Sequence, residues 1–127
     1  MKIYYAHSIK GSHTPWERSP QDIIPLLQQA WHEVVSEEIF TSQTTLSDAE
    51  IFERDTEMIR SSDCILANVS NPTLWVGREI AYSESLNKKI LCFWQSSINK
   101  KISSMITGNP NIKYYAIDSV DEILKLL

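Results

Sequence analysis

Glycine is scarce in this chain, with three in 127 residues. That scarcity leaves no GxGxxG fingerprint and no P-loop, so the commonest glycine-rich phosphate sites are excluded. Positive charge is also in deficit: 12 Lys and Arg stand against 16 Asp and Glu, for a net charge of -4. Duplex nucleic acid, whose binding needs a basic face, is therefore not an expected partner. A small anion can still be held by local backbone N–H groups. No run of about 18 apolar residues occurs, which excludes a membrane-spanning helix. The opening MKIYYAHSIKG lacks the apolar stretch and cleavage site of a secretory signal, so the expected compartment is cytoplasmic. Cysteine is limited to Cys64 and Cys92, each inside an apolar run. Both read as buried thiols in core strands rather than as a disulfide or a metal pair. His7, His13 and His32 have no metal-site spacing, so no metal is expected. No GxSxG elbow or Cys–His pair stands out.

What the chain does have is an ordinary globular composition, 43% hydrophobic and 22% charged. Residues 1–127 are expected to form one domain. Strand-like and helix-like stretches alternate. Strands are expected at 2–7, weakly at 33–36, and at 63–69, 89–94 and 113–117. Between them, Ile23, Ile24, Leu27, Ala30 and Trp31 mark one helical face, with Pro20 at its start and Pro25 awkward in its interior. Ser47-Asp48-Ala49-Glu50 is a capping box that should begin a helix running to about Ser61. Asn71-Pro72 opens a helix over about 73–87. A short helix near 98–107 ends at Gly108, and SVDEILKLL closes the chain as a last helix. This order predicts an α/β fold: a five-stranded parallel sheet with helices on both faces, doubly wound in the Rossmann-like or flavodoxin-like manner. Ligands of such sheets sit beyond the carboxyl ends of the strands.

Two carboxylates stand out. Asp55 falls near the centre of the apolar face formed by Ile51, Phe52, Met58 and Ile59. A carboxylate there is costly unless it is paired or borders a cavity. An Asp bonded to a nearby donor is the plain alternative to a functional group. Glu79 lies in the first two turns of the helix after a buried strand, where the helix start favours an ionised carboxylate. An acidic residue is also simply favourable there. Gly77 leaves space for a ligand beside the backbone. Ser8-Ile9-Lys10-Gly11-Ser12 follows the first strand and offers hydroxyls, a cation and a flexible backbone for a phosphate, although a surface turn explains it equally well.

Taken together, IYYAHSIKG at 3–11, ERDTEMIRSSDCILANVSNPTLWVGREIAYS at 53–83, NKKILCFW at 87–94 and ISSMITG at 102–108 resemble one family. It is that of the 2'-deoxynucleoside 5'-phosphate N-hydrolases, relatives of the nucleoside 2-deoxyribosyltransferases. The likeness is strongest from about 53 to 108, and residues 12–48 match poorly. The resemblance implies a homodimer with a nucleotide substrate and no cofactor. It implies that Glu79 is the nucleophile, that Asp55 assists the leaving base, and that Tyr4 positions the sugar and the nucleophile. Ser8, Ile9, Lys10, Gly11, Thr73 and Gly77 would then surround the phosphate and sugar, and Ser103 would reach the phosphate from the neighbouring subunit. The family usually has Arg where Lys10 stands and Ser where Thr73 stands.

The implied chemistry is that of a retaining glycosidase. Glu79 attacks C1' as the base departs, Asp55 protonates or holds the base, and water releases the sugar phosphate. Three departures bear on substrate choice: His7 replaces a glycine, Trp75 replaces a small residue, and Glu38 stands where a base-contacting histidine is expected. Trp75 could stack on the base, fill the pocket or pack on a dimer partner. The alternatives to a deoxynucleotide hydrolase are a deoxyribosyltransferase exchanging bases, a CMP-type ribonucleotide N-hydrolase, and a nucleotide-binding module without turnover.

Overall fold

The computed structural model describes residues 1–8, 20–36, 45–71 and 73–127. The positions Ile9, Lys10, Gly11, Ser12, His13, Glu38 and Pro72 lie outside the described residues. Five parallel strands form the sheet: β1 (Lys2–Ala6), β2 (Glu33–Val35), β3 (Cys64–Asn68), β4 (Lys89–Gln95) and β5 (Ile112–Ile117). Their order is β2-β1-β3-β4-β5. Four α-helices are described, α1 (Pro20–Gln29), α2 (Asp48–Arg60), α3 (Leu74–Ser85) and α4 (Ser104–Thr107), followed by a 3-10 helix at Val120–Lys125. The strand order reverses between β1 and β3, which is where doubly wound sheets of this order bind ligands.

Strand alternation divides the core into two faces. Tyr4, Ala6, Ile65, Ala67, Ile90 and Cys92 point to one side and pack with Met58 and Ile59 of α2, Val76 and Ile80 of α3, and Ile106 of α4. Ile3, Tyr5, Cys64, Leu66, Leu91 and Phe93 point to the other, against Ile23 and Leu27 of α1 and Ile123 of the 3-10 helix. Helices thus cover both faces, as the alternating pattern predicts. β3 is buried along its whole length because it has a strand on each edge and helices on each face. Cys64 and Cys92 are both free and buried, and burial pushes the Cys92 thiol up to about 12.

The capping box holds. Ser47 Oγ accepts from Glu50 N at 3.3 Å, and Glu50 Oε1 accepts from Ser47 N at 3.2 Å. Asp48 and Glu50 in the first turn and Arg60 in the last complement the helix dipole. Thr73 caps α3, its Oγ1 accepting from Val76 N at 3.2 Å. Pro25 sits inside α1 without ending it.

Three expectations are corrected. Trp31 is not on the buried face of α1. The helix stops at Gln29 in a Schellman closure, with His32 N bonded to Leu27 O and Trp31 N to Gln28 O, at 3.2 and 3.0 Å. Trp31 occupies the left-handed position, φ 67°, and is 93% exposed. The predicted helix at 98–107 forms only over Ser104–Thr107, because Ser103 caps it late by accepting from Met105 N at 3.2 Å. The last helix is 3-10 rather than α, held at its start by Glu122 Oε1, which accepts from Asp118 N and Ser119 N.

Candidate active site

A cavity of about 730 Å³ lies between α2 and α3. α2 contributes Asp55 with Ile51, Phe52 and Ile59; α3 and its cap contribute Thr73, Trp75 and Glu79. The apolar face of α2 therefore divides. Met58 and Ile59 enter the core, while Phe52, 52% exposed, faces the cavity. Asp55 sits between the two, which explains a carboxylate at the centre of an apolar stripe.

Asp55 is buried. Its Oδ1 accepts from Arg54 Nε at 2.9 Å, and its Oδ2 has no hydrogen-bond partner among the described residues. Burial pushes the carboxyl above the ordinary aspartate range, and the adjacent Arg54 guanidinium offsets part of that rise. The Asp55 proton is therefore held to higher pH than that of an ordinary aspartic acid.

Glu79 is also buried, though it is the sixth residue of α3 and lies past the strongest field of the helix start. Its Oε1 accepts from two donors. Tyr4 Oη donates at 2.9 Å from β1, and the indole Nε1 of Trp75 donates from one turn back on α3. Tyr4 reaches it because strand parity turns Tyr4 towards α3 while Tyr5 faces α1. Ser83 Oγ donates to the backbone carbonyl of Glu79 at 2.8 Å, fixing the same turn from below. Hydrogen bonds donated to a carboxylate favour its charged form.

The structure brings Asp55, Glu79, Tyr4 and Thr73 together. Thr73 uses its oxygen lone pair as a helix cap, which leaves the hydroxyl proton to donate into the cavity it lines. Ser8 and His7 stand at the carboxyl end of β1 and do not line this cavity. His7 is buried and stacked on Tyr5 at 4.9 Å, with Nδ1 3.1 Å from Ser8 O and Nε2 3.4 Å from Ser36 Oγ. It therefore belongs to the α1 face of the sheet and does not narrow the cavity between α2 and α3. Gly77 is exposed, and a Cβ there would meet nothing within 4 Å. Ser103 is exposed at the start of α4 and takes no part in the cavity wall. Among the described residues no group of three His, Cys, Asp or Glu could hold a metal, and no helix is long and apolar enough to cross a membrane.

Sequence reasoning missed three features. Arg54 pairs with Asp55, Arg78 lies over the Phe52 ring at 5.4 Å at the cavity wall, and Trp75 bonds Glu79. Only the last carried a sequence signal, the four-residue spacing that stacks side chains on one helical face.

No protein-family model matches the chain. It is 37% identical over 132 residues to a protein of Syntrophotalea carbinolica assigned as a 2'-deoxynucleoside 5'-phosphate N-hydrolase, covering 100% of this chain and 92% of the relative. It is 33% identical over 138 residues to the 5-hydroxymethyl-dUMP N-hydrolase of Danio rerio, covering 98% and 94%. Among solved structures, the 2-deoxyribosyltransferase of Bacillus psychrosaccharolyticus matches with a TM-score of 0.75 at 18% identity, over 97% of this chain and 90% of that one. That last likeness is one of fold.

Proposed function

The chain belongs to the family of 2'-deoxynucleoside 5'-phosphate N-hydrolases, and we propose from that premise that it cleaves the N-glycosidic bond of 2'-deoxynucleoside 5'-monophosphates, giving free base and deoxyribose 5-phosphate. The observation that carries this reading is the meeting of two acids in one cavity. Glu79 and Asp55 come from separate helices, and Tyr4 anchors the first of them. Glu79 attacks C1', and the C1'–N bond breaks with its electron pair going to the base. Asp55 supplies the proton that the departing base takes up. Water then attacks C1' of the glycosyl ester, gives its proton back to Asp55, and frees Glu79. The apolar wall formed by Ile51, Phe52 and Ile59 suits a planar base and keeps the Asp55 proton in place.

Thr73, with Ser8, Ile9, Lys10 and Gly11, receives the 5'-phosphate in this scheme, and Gly77 is assigned to the sugar side on the family resemblance alone. The chain acts as a single domain in a cytoplasmic homodimer. Ser103 is exposed and does not line the cavity of its own chain, which fits the phosphate contact across the subunit interface that the family resemblance implies.

A screen of the nucleoside 5'-monophosphates for released base tests the reading, with deoxynucleosides and free cytosine as further arms. Deoxynucleotides should release base, and Glu79→Gln should end release while keeping nucleotide binding. Base exchange without a 5'-phosphate requirement would make the protein a transferase. Undiminished release by Glu79→Gln would remove the nucleophile and the mechanism with it.

A further inference from the structure

We propose that Trp75 is a positioning residue for Glu79, its indole N–H holding the carboxylate in register with the sugar. The inference rests on Glu79 being the nucleophile. Trp75 is the second residue of α3 and Glu79 the sixth, so their side chains lie on one face, a turn apart. The indole Nε1 donates to Glu79 Oε1, the oxygen that also accepts from Tyr4 Oη. The two donors arrive from different elements, one from β1 and one from α3 itself. A glutamate has three rotatable bonds, and anchoring one oxygen from two directions fixes the plane of its carboxylate before substrate arrives.

The same contact orients the tryptophan. Its ring lines the cavity and remains 45% exposed, so the residue is not there to fill the core. Holding the N–H on Glu79 makes the ring a fixed part of the wall rather than a mobile flap. Other titratable groups facing the same cavity are Asp48 and Asp55 from α2, and Arg78 and Tyr82 from α3, with Tyr4 reaching in from β1. Of these, the structure shows Tyr4 donating to the carboxylate. Loss of the indole donor therefore removes a support of the charged form.

Trp75→Phe keeps a ring in the wall and deletes the N–H. With a deoxynucleotide substrate that the wild-type protein hydrolyses, the acid limb of kcat/KM should move up by about one pH unit and kcat should fall about tenfold, as expected when a charged group loses a donor. KM should change less than about threefold, since the ring persists. A second readout needs no turnover. The chain has four tryptophans, and the indole N–H resonance absent from Trp75→Phe identifies Trp75. That resonance should lie at low field in the wild-type protein and move upfield in Glu79→Gln. An unmoved acid limb, or an indole signal indifferent to Glu79→Gln, overturns the inference and leaves Trp75 as a base-stacking wall. Failure of the nucleophile reading is distinguishable, because there Glu79→Gln itself retains base release.

Discussion

Replacing Tyr4 with phenylalanine isolates one hydrogen bond in a setting where little else changes. Tyr4 is 1% exposed and belongs to the apolar cluster on the α2–α3 side of the sheet, so the phenylalanine ring occupies the same volume. The deletion removes a donor 2.9 Å from Glu79 Oε1. A hydrogen bond to a charged group contributes about 1.5–3 kcal/mol, and each 1.4 kcal/mol is a factor of ten in rate, which together give about a 10- to 100-fold loss in kcat. The Trp75 indole still donates to that oxygen, so the lower end of this range is expected. Stability should fall by no more than about 1.5 kcal/mol, because the ring is retained and a neutral donor is removed from a site that keeps a second one. The assay is base release from the best deoxynucleotide at saturating concentration, with thermal unfolding alongside. A kcat within twofold of wild type in a variant of unchanged melting temperature would show that Tyr4 does not prepare Glu79, and the geometric argument for the nucleophile would lose its first support.

Asp55→Asn should lower kcat about 100-fold, the usual scale for a lost general acid, while the amide still accepts from Arg54. The same variant should melt higher than wild type near neutral pH. Burial raises the folded-state value of Asp55 above the unfolded value of 3.8, so stability is lost as pH rises through the folded value. The gap should close below pH 3.8, and a gap that widens in acid would reverse the assignment. Ser47→Ala should cost about 1 kcal/mol in denaturant unfolding through the lost cap of α2, and an unchanged midpoint would mean that the helix start is not held there. A substitution that yields a monomer should weaken phosphate inhibition, as should Ser103→Ala in the dimer; full phosphate affinity in a monomer would place Ser103 outside the site.

The parts of this architecture that were legible in the sequence are those fixed by local chemistry. Ser47 and Glu50 announce the start of α2 because a reciprocal cap needs only four residues. β3 and β4 announce themselves by apolar runs long enough for a doubly covered sheet. Asp55 was conspicuous because a carboxylate breaks the helical period. What stayed hidden depends on distant partners or on rare backbone. Trp31 adopts a left-handed conformation that glycine or asparagine normally supplies, as Asn87 does at the end of α3, so nothing marked it as the end of α1. The bond between Tyr4 and Glu79 joins residues 75 positions apart, and the one-residue choice between Tyr4 and Tyr5 is decided by sheet register. Arg54 is invisible as a partner for Asp55 because adjacent residues on a helix normally diverge.

Register also explains how one small fold places two carboxylates in different surroundings. Tyr4 pairs with Ile65 across β1 and β3, and that pairing sends its hydroxyl to the α3 side. A slip of one residue would exchange Tyr4 for Ile3 or Tyr5 on that face and remove the β1 donor from Glu79. The slip is opposed by Ile3 and Tyr5 themselves, both buried among Leu66, Leu91 and Phe93 on the opposite face. Asp55 receives no comparable donor from the sheet. Among the described residues, it has the neighbouring guanidinium on one oxygen and no hydrogen-bond partner on the other. Glu79 on α3 is thus tied through Tyr4 to the central sheet, whereas Asp55 on α2 is held by its helix neighbour at the cavity edge. The core that fixes β1 against β3 therefore also fixes the donor that reaches Glu79.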